Sequence, residues 1–205
     1  MTVLPTIYGY EYFKREVLSL TGIDLNCYKE NQMKRRIDTL IAKRGIQGYD
    51  RYVSALRTDR GVLEEFVAYI TINVSQFYRD PDQWKVMEEK AIPELIARFG
   101  KRLKIWSAAC STGDEPYSLV MAMSRYIPLS DIRIYATDLD KQVIEKAKAG
   151  LYSDKSIATV PTDLRRRYFR PAGEDYKISE EIKACVEFRE HNLLKDAYPT
   201  GCHMI

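Results

Sequence analysis

The 205-residue sequence predicts an α/β fold of the doubly wound, Rossmann-like type, preceded by an all-helical domain. Three observations carry the prediction. Residues 103–123 read as a short apolar strand (Leu103, Ile105, Trp106), a turn of small residues ending at Gly113, and a helix (Tyr117, Leu119, Val120, Met121, Met123). Residues 131–150 repeat that order, with Ile132, Ile134 and Ala136 alternating into a cluster of acids, then Val143, Ile144 and Ala147 at helical spacing before Gly150. Residues 8–70, by contrast, show helical periodicity throughout.

In the first region, Tyr12, Phe13, Val17, Leu18 and Leu20 share a helix that Thr21-Gly22 ends. A second runs from about Tyr28 to Arg44 with Met33, Ile37, Leu40 and Ile41 as its apolar face, and Gly45 stops it. Tyr49, Tyr52, Val53 and Leu56 define a third, and Leu63, Phe66, Val67 and Ile70 a fourth. Short, periodic helices of this kind pack as a small bundle. The second is unevenly charged: six basic residues (Lys29, Lys34, Arg35, Arg36, Lys43, Arg44) stand against two acids (Glu30, Asp38). Lys29, Arg36 and Lys43 recur every seven residues and line one side. The stripe reads either as a solvated face or as a docking surface for an acidic helix.

Helical periodicity fails between Thr71 and Arg79. If extended, this stretch points Asn73, Ser75 and Arg79 one way, and Arg79 can grip a carboxylate with two hydrogen bonds. The plainer reading is a linker in which Asp80 caps a helix opened by Pro81. Residues 82–99 form one helix or two, with Trp84, Met87, Ile92, Leu95, Ile96 and Phe99 inward and a kink or break at Pro93. Beyond Gly150 the pattern gives a helix over 161–169, a turn cluster over 171–175, and short strands over 176–179 and 184–188. The last two suggest a small β insertion, although Val186-Glu187-Phe188 also reads as the third main strand, with Asn192-Leu193 at its C-terminal end. The expected organisation is a helical domain over 1–70, a linker over 71–81 and an α/β domain over 82–205 with a β insertion at about 170–186.

The chemistry concentrates at 105–118 and 131–140. Small residues let a ligand approach the backbone, and Gly113 supplies conformational freedom. The acidic pair Asp114-Glu115 disfavours a phosphate guest, which wants bare N–H groups and a cation. A cationic, hydroxyl-rich ligand fits better, and S-adenosylmethionine, with its sulfonium, ammonium and ribose, is one such molecule. An acid at the end of the second strand (Asp138 or Asp140) can bond both ribose hydroxyls, although either alone reads equally well as a helix cap. A nicotinamide dinucleotide site has similar spacing, but no G-x-G-x-x-G is present.

Composition narrows the classes further. A hydrophobic fraction of 45% supports a core, and a net charge of +3 is too mild for a nucleic-acid binder. No apolar run approaches the roughly 20 residues of a membrane span, and no signal peptide opens the chain. Four cysteines without a C-x-x-C read as reduced thiols of a cytoplasmic protein. With only His191 and His203, neither a metal centre nor a Ser/His/Asp triad is expected.

Several stretches together resemble one family. Thr71-Ile-Asn-Val-Ser-Gln-Phe-Tyr-Arg79, Ile105-Trp-Ser-Ala-Ala-Cys-Ser-Thr-Gly113, Glu115-Pro-Tyr-Ser118, Ala136-Thr-Asp-Leu-Asp140, His191-Asn-Leu-Leu194 and the basic Tyr28–Arg36 segment are similar, in this order, to the chemotaxis receptor glutamate methyltransferases of the CheR type. The resemblance implies a class I S-adenosylmethionine-dependent methyltransferase domain with a small β insertion behind an all-helical domain. It implies S-adenosylmethionine as methyl donor and glutamates on the cytoplasmic helices of chemoreceptors as acceptors. The cofactor residues it carries over are Asn73, Ser75, Arg79, Glu115, Asp138, Asp140, Asn192 and Leu193, with Gly113 at the turn. Family members usually have two glutamates where this chain has Asp114-Glu115, so the role passes to Glu115. Lys29, Arg35, Arg36 and Lys43 would bind the receptor. The family also continues past the point matching Ile205, with Cys202–Ile205 resembling the start of a fourth strand, so the domain is expected to be C-terminally truncated. No catalytic acid or base is expected, because a glutamate nucleophile with a pKa of about 4.3 is already ionised at neutral pH. The expected state is a monomer. The rival readings are a small-molecule methyltransferase and a non-catalytic module that binds S-adenosylmethionine and receptors.

Overall fold

In the computed structural model, which describes residues 9–71 and 75–205, the chain divides into two units, residues 1–72 and 73–205, each with its own core. The first unit is all-helical: α1 (Tyr10–Thr21), α2 (Glu30–Lys43), α3 (Tyr49–Thr58) and α4 (Arg60–Thr71). Gly22 ends α1 in the left-handed conformation (φ 73°), its N–H donating to the Leu18 carbonyl. Phe13, Ile37, Tyr52, Phe66 and Ile70 are fully buried, and the Phe13 ring meets the Phe66 edge at 5.8 Å. Each such side chain contributes roughly 1.5–3 kcal/mol by leaving water.

The second unit opens with α5 (Pro81–Val86), a single π turn (Met87–Ala91) and α6 (Ile92–Phe99). Helical structure runs on through Pro93, which stands in the first turn of α6. Pro93 lacks an N–H and crowds the carbonyl four residues back, and the wider π turn just before it accommodates both. Ile92 is fully buried, but Phe99 is not inward as expected. It lies 43% exposed, its ring beside His203 at the end of the helix.

A parallel sheet follows, in the order β1 (Ile105–Ala108), β2 (Ile134–Asp138), β6 (Val186–Glu190), with Ile105 opposite Ile134 and Ile134 opposite Val186. On the other side of β1, Met204 forms a parallel bridge to Ile105. Helices α7 (Asp114–Met123) and α8 (Lys141–Ala149) follow β1 and β2, as the strand–helix alternation predicts. Nine of the ten α7 residues are buried, which explains why its sequence is apolar nearly all round.

The β insertion differs from expectation in its bounds. It is a three-stranded antiparallel sheet in the order β3 (Leu151–Tyr152), β5 (Asp175–Ile178), β4 (Phe169–Ala172), with α9 (Thr162–Tyr168) between β3 and β4. It therefore reaches back to Leu151, and the 171–175 cluster is the β4–β5 hairpin, turning at Gly173 (φ 68°). After the short α10 (Glu180–Lys183), residues from Val186 join the parallel sheet instead of the insertion. Two residues of β3 carry too little alternation to register in a sequence.

Candidate cofactor cleft

The backbone leaving β1 is strained. Ala109 (φ 63°), Ser111 (φ 48°) and Gly113 (φ 87°) all lie in the left-handed region, at a cost of roughly 1–3 kcal/mol for each residue other than glycine. Hydrogen bonds over-determine the turn. The Cys110 N–H donates to the Thr137 carbonyl (2.8 Å), the Ser111 N–H to Asp138 Oδ2 (2.8 Å) and the Gly113 N–H to the Cys110 carbonyl (3.0 Å). Gly113 is required by packing as much as by φ. A Cβ there would lie 2.9 Å from the Ala147 Cβ, 3.1 Å from the Tyr117 ring and 3.2 Å from the Phe188 ring. It therefore lets α7 close down on α8 and β6, the interior side of the turn.

The strand-end acids are both buried and hydrogen-bonded within the chain. Asp138 Oδ1 accepts from the Asp140 N–H (3.0 Å) while Oδ2 holds Ser111. Asp140 caps α8, accepting from the Gln142 N–H (2.8 Å), as the plainer reading of that residue had it. Asp114 is buried at the start of α7 and accepts from the Thr112 and Ser75 hydroxyls, while burial pushes its carboxyl above the ordinary range. The neighbouring Glu115 is exposed, with its Oε1 accepting from the Ser107 hydroxyl at 2.7 Å.

Asn73 lies outside the described residues. From Ser75 onward the segment is no loose linker. Phe77 is fully buried, edge-on to Tyr152 (4.7 Å) and Phe169 (5.4 Å) of the insertion, and its carbonyl accepts from the Thr159 hydroxyl. Tyr78 is also buried, its N–H donating to Ser118 Oγ (3.1 Å) and its ring tilted against Trp84 (4.9 Å). Tyr78 (φ 48°) and Asp80 (φ 57°) are both left-handed, so Arg79 sits exposed between two strained residues. Asp80 stands at the helix N-cap position but makes no capping bond through its side chain, contrary to expectation; its backbone is left-handed, where a capping residue is typically extended.

Ser75, Gln76, Arg79, Trp84, Ala109 and Glu115 line a cleft of about 320 Å³, which Asp80, Cys110 and Ser111 complete. Of the expected cofactor residues, the cleft brings Ser75, Arg79 and Glu115 together. Asp138 holds its wall through the Ser111 N–H, Asp140 is tied to Asp138, and Gly113 bonds to the Cys110 carbonyl. Asn192 and Leu193 follow β6 outside the lining. Asn192 Oδ1 accepts from the Leu194 N–H (2.9 Å), and the Leu193 carbonyl accepts from the Tyr198 hydroxyl (2.6 Å). A larger cavity of about 690 Å³ lies at the opposite, N-terminal ends of the strands, around Arg102, Arg133 and Val186, away from these groups. Sequence reasoning missed Phe77, Tyr78, Trp84 and Ser107. The Phe77-Tyr78 pair beside Arg79 was the available signal, since two adjacent aromatics in a polar stretch need somewhere to be buried.

In the helical unit the basic residues divide. Arg36 is turned onto α4, donating to the Tyr69 carbonyl (2.5 Å) with its guanidinium over the Tyr69 ring (4.8 Å). Lys34 pairs with Asp38 and Arg44 with Glu65. Lys29 (at the N-cap of α2), Arg35 and Lys43 are exposed. The stripe is thus interrupted at Arg36.

The cleft suits a cationic nucleoside. Its volume matches small-molecule sites, a carboxylate (Glu115) faces it, and the Ser111 hydroxyl on its wall is buried without a hydrogen-bond partner. A strained turn between a parallel strand and a helix, with acids at the next strand end, defines the class: a nucleotide-binding domain of the doubly wound kind. Residues 73–205 match the CheR methyltransferase, SAM binding domain, and residues 9–71 the CheR methyltransferase, all-alpha domain. The chain belongs to the CheR methyltransferase family, and its cofactor is S-adenosylmethionine. It is 39% identical to a chemotaxis protein methyltransferase of Listeria innocua over 96% of this chain and 75% of that one. A chemotaxis protein methyltransferase of Listeria monocytogenes is 38% identical with the same coverage, and chemotaxis protein methyltransferase 1 of Pseudomonas aeruginosa is 35% identical over 92% of this chain and 72% of its own.

Proposed function

We propose that this methyltransferase esterifies glutamate side chains on the cytoplasmic helices of chemotaxis receptors, and that it works as a cytoplasmic monomer. Among the described residues no helix is long and apolar enough to cross a membrane, in keeping with a protein that meets receptors from outside the bilayer. The observation that carries the reading is the meeting of Ser75, Arg79 and Glu115 beside the Ala109–Ser111 turn. In this reading the cofactor lies along that turn. Glu115 faces its positive end, Arg79 its carboxylate, and Ser75 and Ser111 offer hydroxyls. Asp138 and Asp140 set the turn and the helix behind it, while Asn73, Asn192 and Leu193 complete the surroundings.

Bound there, S-adenosylmethionine supplies a methyl group made electrophilic by its sulfonium. The acceptor glutamate is ionised at neutral pH, so the protein need not remove a proton. Its contribution is to hold the acceptor oxygen in line with the methyl carbon, an effect worth up to roughly 7–11 kcal/mol. The strained turn and the buried Phe77-Tyr78 anchor serve that purpose by fixing the cleft wall before anything binds. In the helical unit, Arg35, Lys43 and Lys29 steer the acidic receptor helices, and Arg36 supports the unit from within.

Incubation with methyl-labelled S-adenosylmethionine and receptor-containing membranes tests the reading. Base-labile label on receptor glutamates is expected. Label confined to small molecules, or none, overturns it.

A further inference from the structure

Ser107, the third residue of β1, is a buried hydroxyl in apolar company, only 2% exposed. It stands in register with Ala136 of β2, and Ala136 with Phe188 of β6. This row faces α7, since the Phe188 ring lies edge-on to Tyr117 at 5.5 Å. The neighbours of Ser107 on the same face, Ile105, Ile134 and Ala136, are apolar and buried. A hydroxyl in such a patch is costly unless it is hydrogen-bonded. Ser107 Oγ donates to Glu115 Oε1 at 2.7 Å. An alanine would sit in the same patch without needing a partner, so packing does not account for the serine. The bond to Glu115 does.

Glu115 is the second residue of α7 and is exposed at the cleft. A free glutamate side chain samples several rotamers, and fixing one of them costs entropy at the moment a ligand binds. The bond to a residue of the sheet removes that freedom beforehand, and a hydrogen bond to a carboxylate is of the stronger kind. Among the described residues Glu115 and Arg79 enter no ion pair, with each other or with a third group, although both line the cleft. A fixed anion and an unpaired cation in one cleft suit a zwitterion, which is what the amino-acid end of S-adenosylmethionine is. We propose that Ser107 is a positioning residue: it holds one oxygen of Glu115 against β1 and leaves the other to receive the ammonium group of that end. The proposal rests on the reading that Glu115 faces the cofactor.

Calorimetric titration with two ligands tests it: S-adenosylhomocysteine, and methylthioadenosine, which shares the nucleoside and the sulfur but lacks the amino-acid end. Ser107→Ala should raise Kd for the first roughly three- to tenfold and leave Kd for the second unchanged. The loss should vanish in a Glu115→Ala background. Unchanged binding of S-adenosylhomocysteine, equal weakening of both ligands, or a loss that persists without Glu115 overturns the proposal, equal weakening being the mark of a structural role alone. If Glu115→Ala by itself leaves Kd for S-adenosylhomocysteine unchanged, the cofactor reading of Glu115 fails first. Should Ser107→Ala not fold, Ser107→Cys, close in size but a weak donor, carries the same comparison.

Discussion

The N–H of Ser111 donates to Asp138 Oδ2 across the ends of β1 and β2, at 2.8 Å. Through its other oxygen the same carboxylate receives the Asp140 N–H, so one side chain fixes both the cofactor turn and the start of α8. Replacing Asp138 by Ala leaves two buried donors unpaired, each costing roughly 1–3 kcal/mol. The urea midpoint is expected to fall accordingly, and S-adenosylhomocysteine binding to weaken with it. An unchanged midpoint would remove the clamp from the account.

Gly113→Ala should be more damaging than a helix-edge substitution normally is. The new methyl group would be forced within 2.9 Å of Ala147 and onto two aromatic rings, in a backbone conformation that disfavours it. Overpacking and left-handed strain together predict a loss of roughly 2–4 kcal/mol, readable by chemical denaturation. A milder effect would mean that α8 can move away from α7 at little cost.

The basic residues of α2 should separate experimentally. Arg35→Glu with Lys43→Glu is expected to slow receptor methylation and flatten its dependence on ionic strength while leaving thermal stability and cofactor binding unchanged. Arg36→Glu should instead destabilise the helical unit, by roughly 1–3 kcal/mol, since it removes the contacts to Tyr69. Equal behaviour of the two variants would contradict the division.

Cys110 gives a pH prediction. Burial, with Asp138 second, pushes its thiol from 9.0 up to about 12. The unfolded chain therefore loses this proton at lower pH than the folded one. The associated stability is present below pH 9 and lost as pH rises from there towards about 12. The urea midpoint should drop over that window in the parent protein and drop less in Cys110→Ala. At neutral pH a thiol reagent should modify the exposed Cys27 and spare the buried Cys110 and Cys185.

The helical unit was legible because it obeys local rules: Gly22 and Gly45 end helices, and apolar residues recur at one period. The parallel sheet was legible in part for the same reason: β1 and β2 are each followed by a helix, the second stopped at Gly150, whereas the stretch that becomes β6 left two readings open. What escaped the sequence depended on distance. The two-residue β3 is defined only by its partner in β5. The burial of Phe77 depends on Tyr152 and Phe169, which are far along the chain. Arg36 matched the spacing of a surface stripe, and only the proximity of Tyr69 shows it facing inward. The hydrogen bonds that Asp138 and Asp140 make in the turn and at the start of α8 leave no periodic trace in the sequence.

The edge-to-face trio of Phe77, Tyr152 and Phe169 has a consequence for how the catalytic unit can be trimmed or grafted. The inserted sheet is a footing for the arginine-bearing bend, and excising 151–178 would strip the shelf on which that bend rests. Any minimal or chimeric enzyme built from this chain has to move the two together, or rebuild the aromatic socket in whatever replaces the insertion.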